Sequence, residues 1–200
     1  MSLLQPHGKI RSVVLVHGIF DSGTSFRKMA CFLESRGFQP HMPDLQPSSG
    51  RKGLDELAKM LEVYIDDHLP PEEPFSLVGF SMGGLVCRYY LQRLDGMRRV
   101  RRFISLSTPH NGSWVAYLVA NRGCRQMRPG SPFLNDLNKD VHTLERVRVV
   151  SIWTPLDLSI LPAWSSRLPI GTELKLGVVM HRFMIKNKHV LEELSQLLRN

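Results

Sequence analysis

Cysteine is scarce in this sequence, and the few residues present are poorly placed for structural bonding. Three cysteines, Cys31, Cys87 and Cys124, are spread over a chain of 200 residues. An odd number at such wide spacing matches neither a disulfide framework nor a zinc site. We therefore expect a reducing compartment, where thiols stay free.

Long apolar runs are also absent. The strongest run, residues 13–16, is far shorter than the ~18 residues that a membrane-spanning helix requires. The N-terminal residues, M-S-L-L-Q-P-H-G-K, lack the charged segment and the apolar segment that together make a secretory signal. These absences predict a cytoplasmic protein with no transmembrane segment.

The composition is that of a globular protein with an excess of basic residues. Hydrophobic residues make up 42% of the chain and charged residues 22%, which excludes disorder for most of it. The length fits a single domain over residues 1–200. The net charge of +8 favours anionic partners, and weak association with an anionic membrane surface is therefore one hypothesis.

The densest basic cluster is R-R-V-R-R at residues 98–102. It precedes a predicted strand, so we interpret it as a solvated loop. No zinc finger, RNA-binding sheet motif or basic stripe with interleaved aromatics accompanies it. Nucleic-acid binding is therefore not expected.

Short apolar runs alternate with amphipathic helical patterns along the chain. Strands are predicted at residues 12–17, 38–42, 75–79, 103–106, 146–153 and 173–179, and helices at 24–36, 54–69, 82–94 and 190–198. This alternation implies right-handed crossovers and a mainly parallel sheet. The predicted fold is α/β, an open sheet of about six strands with helices on both faces. Residues 111–145 hold two short helical pieces and are expected to form a small cap or flap.

The pentapeptide G-F-S-M-G, residues 79–83, lies between a predicted strand and a predicted helix. A sharp turn at this place lifts a serine Oγ clear of the sheet, which is the geometry of a nucleophile elbow. The flanking glycines allow the backbone and the helix to approach where a Cβ would clash. The pattern predicts Ser81 as a catalytic nucleophile.

The segment V-L-V-H-G-I-F, residues 14–20, ends the first predicted strand. Its loop can direct a backbone N–H toward Ser81, and a tetrahedral intermediate of acyl transfer needs two such donors. We predict the amides of Ile19 and Met82 as that oxyanion hole. His17 is interpreted as a structural residue that holds the loop.

Serine needs a base, and in this arrangement the order along the chain is serine, acid, histidine. Four histidines follow Ser81: His110, His142, His181 and His189. His181 comes just after the last predicted strand and is the predicted base, whereas His110 is placed near the pocket. Asp157 follows the fifth predicted strand and is the predicted acid, which orients the imidazole.

With these residues assigned, the sequence resembles the bacterial lipases and esterases of the α/β-hydrolase fold, particularly the small kind with a minimal lid. The resemblance is carried by H-G-I-F (17–20), G-F-S-M-G-G (79–84), S-T-P-H-N-G-S (107–113) and the segments around residues 157 and 181. It implies a Ser81, Asp157 and His181 triad that hydrolyses acyl esters or lipids with neither a metal nor an organic cofactor.

Three other functions stay open at this point. A thioesterase or an acyltransferase uses the same triad, and a non-catalytic relative only binds a ligand. The net charge alone suggests a module that binds anionic surfaces. For an ester hydrolase, the short segment 111–145 predicts an exposed site that prefers short or medium acyl chains. Its apolar residues form either one cleft wall or core contacts: Trp114, Tyr117, Leu118 and Phe133.

Overall fold

A computed structural model of the chain describes residues 10–199. Its centre is a six-stranded sheet in the order β2-β1-β3-β4-β5-β6, and every neighbouring pair is parallel. The strands are β1 Ser12–Val16, β2 Gln39–His41, β3 Phe75–Phe80, β4 Val100–Leu106, β5 Arg148–Trp153 and β6 Thr172–Lys175. The chain adds β2 on one side of β1 and then β3 to β6 in turn on the other side, so the direction of winding changes once. The open, parallel sheet predicted from the sequence is confirmed.

Within residues 10–199, six α-helices accompany the sheet. They are α1 Arg27–Glu34, α2 Leu54–His68, α3 Met82–Arg93, α4 Arg122–Gln126, α5 Pro132–Lys139 and α6 Lys188–Arg199. Two buried clusters show that they cover both faces. One cluster joins α2 and α3 to one face of the sheet, and the other joins α1 and α6 to the opposite face.

Alternation along the strands explains the two clusters. Val14 and Val16 of β1 belong to the α2–α3 side, whereas Val13 and Leu15 belong to the α1–α6 side. Successive side chains of a strand point to opposite faces, so a strand covered on both faces needs an apolar residue at every position. The run V-V-L-V therefore fits a central strand, and β1 does lie between β2 and β3.

Two sequence predictions are wrong in detail. Only part of the R-R-V-R-R segment is a solvated loop, because β4 begins at Val100 and Arg99 is buried. Arg99 donates to the carbonyl of Pro70 at 2.8 Å and pairs with Asp66 at 3.3 Å. The last strand ends at Lys175 rather than at residue 179. Beyond it the chain bends, since the Val178 amide donates to the carbonyl two residues earlier.

The connection between β4 and β5 holds α4, α5 and two 3₁₀ turns, Trp114–Tyr117 and Val141–Arg146. Helix α5 is held against α3 because Arg93 pairs with Asp136 and Asp140, both at 2.8 Å. This connection crosses the carboxyl ends of the strands. None of the helices within residues 10–199 is long and apolar enough to cross a membrane. The expected absence of a secretory signal concerns residues 1–9, which lie outside the described residues.

Candidate active site

Ser81 occupies the turn between β3 and α3 in a strained conformation. Its φ of 54° and ψ of −125° lie in a region that non-glycine residues rarely adopt. The backbone is held there by neighbouring elements, because the Ser81 amide donates to the Leu106 carbonyl at 2.9 Å. The turn therefore has the geometry of the predicted elbow.

Close packing around the turn explains its glycines. A Cβ on Gly79 would lie 2.5 Å from the Cα of Gly84, and one on Gly83 would clash with the Val16 carbonyl oxygen. Gly84 lies against the side chain of Thr108 in the same way. Helix α3 thus approaches both β1 and the end of β4 only because these positions lack side chains.

Asp157 and His181 form a hydrogen-bonded pair. His181 Nδ1 donates to Asp157 Oδ2 at 2.6 Å, although 24 residues separate the two in sequence. A carboxylate can only accept, so the proton of the neutral imidazole is on Nδ1 and the lone pair is on Nε2. The two residues are brought together by Thr154, whose hydroxyl donates to the Val178 carbonyl at 2.8 Å.

The carboxylate of Asp157 is buried but fully hydrogen-bonded. Its Oδ1 accepts from the amides of Ser159 and Ile160 at 2.9 and 3.0 Å. Burial alone raises the pKa of this carboxyl, but the hydrogen bond and charge of His181, with the two amides, outweigh it. The pKa of Asp157 therefore lies below its usual value, and the group is ionised at neutral pH.

Ser81 and His181 line the same cleft at the carboxyl ends of the strands. The His181 ring packs against Phe80, with the ring centroids 4.7 Å apart. Sequence reasoning missed Phe80 and Thr154 as residues that position the histidine. Phe80 occupies a position of the G-x-S-x-G pattern that any residue can fill. Thr154 is followed by a proline after a strand, and that dipeptide carries no functional signal.

The two predicted donor amides border Ser81. Met82 is the first residue of α3, and its N–H, like that of Ile19, has no acceptor within residues 10–199. His17 anchors the Ile19 loop as interpreted from the sequence. Its Nε2 accepts from the Leu45 amide at 3.0 Å, which leaves Nδ1 to donate to the Gly18 carbonyl.

The cleft has a volume of about 710 Å³ and is mostly apolar. Its inner surface includes Ile19, Ala116, Cys124, Met127 and Ile160. Four exposed apolar side chains line it on the solvent side: Phe20, Val119, Leu158 and Met180. Such a shape suits an apolar ligand that enters from the solvent side.

The other histidines lie away from Ser81. His110 is fully buried next to Pro109, which lines the cleft, but His110 itself does not line it. Burial and the nearby charge of Arg88 lower the pKa of His110 well below its usual value. His142 is exposed beside Glu145, and His189 is exposed in the first turn of α6.

Of the four apolar residues singled out in segment 111–145, only Phe133 makes the expected core contacts. Trp114, Tyr117 and Leu118 are exposed and form neither the cleft wall nor the core. Phe133 is partly buried against the core and stacks on Tyr89 at 5.7 Å. Within the described chain, no group of three or more His, Cys, Asp or Glu side chains is arranged to hold a metal ion.

Curated relatives match about half of this chain. The lysosomal thioesterase PPT2 of Mus musculus is 32% identical over 111 residues, which cover 54% of this chain and 36% of the relative. The Homo sapiens protein of that name is 32% identical over 114 residues, with 54% and 37% coverage. The chain thus spans little more than a third of the length of these relatives.

One bacterial and one fungal structure align with the whole chain. Mature Bacillus licheniformis lipase BlEst2 has a TM-score of 0.79 and 19% identity, covering 100% of this chain and 96% of that one. Aspergillus fumigatus lipase B has a TM-score of 0.81 and 16% identity, with 100% and 55% coverage. At such identities the similarity establishes the fold alone. The family profile described as alpha/beta hydrolase fold matches residues 11–131, more than half of the 200 residues and including the Ser81 elbow, so the chain belongs to the alpha/beta hydrolase family.

Proposed function

We propose that this chain is a serine hydrolase that cleaves carboxylic esters through an acyl-enzyme. The observation that carries the proposal is the 2.6 Å hydrogen bond from His181 to Asp157, because His181 lines the same cleft as the strained Ser81 turn. Strained backbone at a cleft serine, next to an oriented imidazole, is the arrangement that nucleophilic catalysis requires.

In the acylation step, Ser81 Oγ attacks the ester carbonyl carbon while His181 Nε2 takes the hydroxyl proton. The C–O bond to the alcohol then breaks, and the imidazolium returns that proton to the departing alkoxide. Water repeats the sequence in deacylation, releasing the acid and restoring Ser81. The Asp157 carboxylate keeps Nδ1 protonated and stabilises the imidazolium.

The negative charge on the carbonyl oxygen would be held by the amides of Ile19 and Met82. Their N–H groups have no acceptor in the described part of the chain, so they are available to a ligand. Met82 also starts the 12-residue helix α3, whose N-terminal dipole favours negative charge at this point. Each such donor is worth ~2.7–4 kcal/mol in the transition state.

We further propose acyl esters of short or medium chain length as substrates. The apolar lining suits an acyl group, and segment 111–145, which also holds helices α4 and α5, leaves few residues to enclose a long acyl tunnel. Helix α4 forms one wall and is fixed to the rest of the molecule, because the Gly123 amide donates to the Gly50 carbonyl at 2.8 Å. Segment 111–145 then acts as a small wall within a single domain rather than as a large mobile lid.

Thioester hydrolysis is the second candidate, and one observation favours it. The curated relatives that match over 54% of this chain are named thioesterases. Thioesters present the same carbonyl to the same nucleophile, so the triad itself does not discriminate between the two substrates. Rates on matched oxygen esters and thioesters of one acyl chain would decide which is preferred.

A fluorophosphonate probe and a substrate panel test the proposal. We expect the probe to label Ser81 alone, because only an activated serine attacks phosphorus readily. Ser25→Ala is the matched control, since Ser25 lines the same cleft but donates to the Ser22 carbonyl. We expect the probe to label Ser25→Ala fully and Ser81→Ala not at all. Only Ser25→Ala should hydrolyse p-nitrophenyl esters. Labelling at another serine would overturn the assignment.

A further inference from the structure

Large apolar side chains are exposed almost exclusively on one side of the molecule. Among the described residues, 13 large hydrophobic side chains are exposed. Twelve of them lie in the segments that come after the carboxyl ends of β1, β4, β5 and β6. They lie at residue 20, in segment 114–119, in segment 156–164 and in segment 179–183. The remaining one, Val63, lies on helix α2. Scattered exposed apolar residues need no explanation, but a one-sided concentration does.

The four segments form one surface, here named the apolar rim. The Trp114 amide donates to the Leu161 carbonyl at 2.8 Å, which joins the second segment to the third. Phe20, Leu158 and Met180 all line the cleft, which joins the remaining segments. The rim therefore surrounds the mouth of the cleft that contains Ser81.

Basic side chains accompany the rim. Arg182 and Lys186 line the cleft and form no ion pair within residues 10–199. Arg128 lies over the Tyr117 ring, 4.6 Å from its centroid. The carboxylate of Asp157 is buried and hydrogen-bonded, so Asp21, which accepts from the Ser22 amide, is the acidic residue in the described lining of the cleft, against two basic ones. Apolar, aromatic and cationic groups thus occur together on this face.

We propose that the apolar rim docks onto anionic lipid bilayers. Exposed Trp114 and Trp164 suit the headgroup level, where amphipathic rings concentrate, and Leu118 enters the acyl boundary. Arg182 and Lys186 pair with lipid phosphates. The lipid is favoured over a protein partner because a protein covering this rim would seal the cleft, whereas a bilayer supplies apolar molecules to it. The docking extends the proposed function, but the binding itself needs no active Ser81.

Vesicle binding by the Ser81→Ala chain tests this directly. Trp114 and Trp164 are 60% and 59% exposed, whereas Trp153 is 7% exposed. Vesicles containing phosphatidylglycerol should therefore shift tryptophan emission to shorter wavelength, and brominated lipids should quench it. Binding should weaken as salt is added, since the Debye length falls to ~10 Å at 0.1 M. Uncharged phosphatidylcholine vesicles should bind several-fold more weakly.

Two matched variants locate the docking surface. Leu118 is 82% exposed in the rim, and Val63 is 59% exposed away from it. Leu118→Asp should weaken vesicle binding at least ~10-fold. The variant loses a leucine that the bilayer would bury, and it gains a negative charge that anionic lipid repels. Val63→Asp should change binding by less than about twofold. Arg182→Gln should weaken it about fivefold at low salt.

Several results would overturn the docking proposal while leaving the proposed function intact. One is the absence of vesicle binding at low salt, and another is an equal loss of vesicle binding in Val63→Asp and Leu118→Asp. A third is a dimer, seen by sedimentation, that dissociates in Leu118→Asp. With Ser81 present, Leu118→Asp should still hydrolyse a soluble p-nitrophenyl ester at the unmodified rate. Absence of soluble-ester hydrolysis in the chain that retains Ser81, with vesicle binding present, would instead count against the proposed function.

Discussion

Replacing Asp157 with asparagine tests the role of the acid without changing the shape of the site. The Oδ1 atom of Asp157 accepts from two backbone amides, at 2.9 and 3.0 Å. In Asp157→Asn, the side-chain oxygen satisfies those two donors and the NH₂ group then faces His181. Because NH₂ can only donate, His181 Nδ1 must become an acceptor and its proton moves to Nε2. The nitrogen that should take the Ser81 proton is then already protonated.

The expected loss follows from this change of tautomer. In a serine protease triad the corresponding change lowers kcat by ~10⁴, and we expect about 10³ to 10⁴ here. At ~1.36 kcal/mol for each tenfold step, this equals about 4 to 5.5 kcal/mol of transition-state stabilisation. KM should change little, because the buried Asp157 side chain does not line the cleft.

The assay is steady-state hydrolysis of a soluble p-nitrophenyl ester, with thermal unfolding to verify the fold. Asp21→Asn is the matched control, since Asp21 lines the cleft and its carboxylate accepts from the Ser22 amide, away from His181. The control should keep kcat within about threefold, as surface polar changes commonly do. If Asp157→Asn also kept kcat within tenfold while folded, the tautomer argument would be refuted.

Other perturbations follow from the same geometry. Ser81→Ala and His181→Ala should each lower kcat by ~10⁴ or more, with the double variant little worse, because the residues act as a unit. Prolonged chelation with EDTA should leave hydrolysis unchanged; loss restored by a divalent ion would contradict the proposed chemistry. His110 is buried with a lowered pKa, so the unfolded chain takes up its proton first and the free energy of unfolding falls as pH drops below ~6.5. Denaturant titrations of His110→Phe between pH 7 and 5 should lack up to ~1.4 kcal/mol per pH unit of that slope; an unchanged slope would exclude His110 as its source.

The centre of the fold was predictable from the sequence. Strands β1 and β3 are buried on both faces, so their apolar runs are nearly continuous and bounded by glycine-containing turns. The glycines at 79, 83 and 84 reflect close approaches between backbones, and that is why their spacing located Ser81. Chain order alone singled out His181, the histidine that hydrogen-bonds Asp157 in the structure, although the strand before it ends six residues earlier.

Edges and charged segments were less predictable. The apolar alternation of Leu174, Leu176 and Val178 suggested a strand to residue 179, but only Leu174 lies in β6. The later two side chains still pack into the core from an irregular segment. Periodicity reports burial of side chains, and at a sheet edge burial does not require a backbone ladder. Arg99 was wrongly interpreted as solvated because the carbonyl that accepts its hydrogen bond, that of Pro70, is distant in sequence.

Segment 111–145 separates what local rules specify from what they do not. Asn121 and Ser131 cap α4 and α5 by accepting from the amides of Cys124 and Leu134, so the helix starts follow ordinary capping chemistry. The orientation of the segment's apolar side chains does not follow from such rules, because they assign an apolar residue at helical spacing to a buried face. Trp114, Tyr117 and Leu118 are instead exposed, beside the cleft-lining residues Val115, Ala116 and Val119. Local pattern and global burial disagree at this edge of the sheet, and such disagreement is expected where a surface is kept for binding rather than for folding.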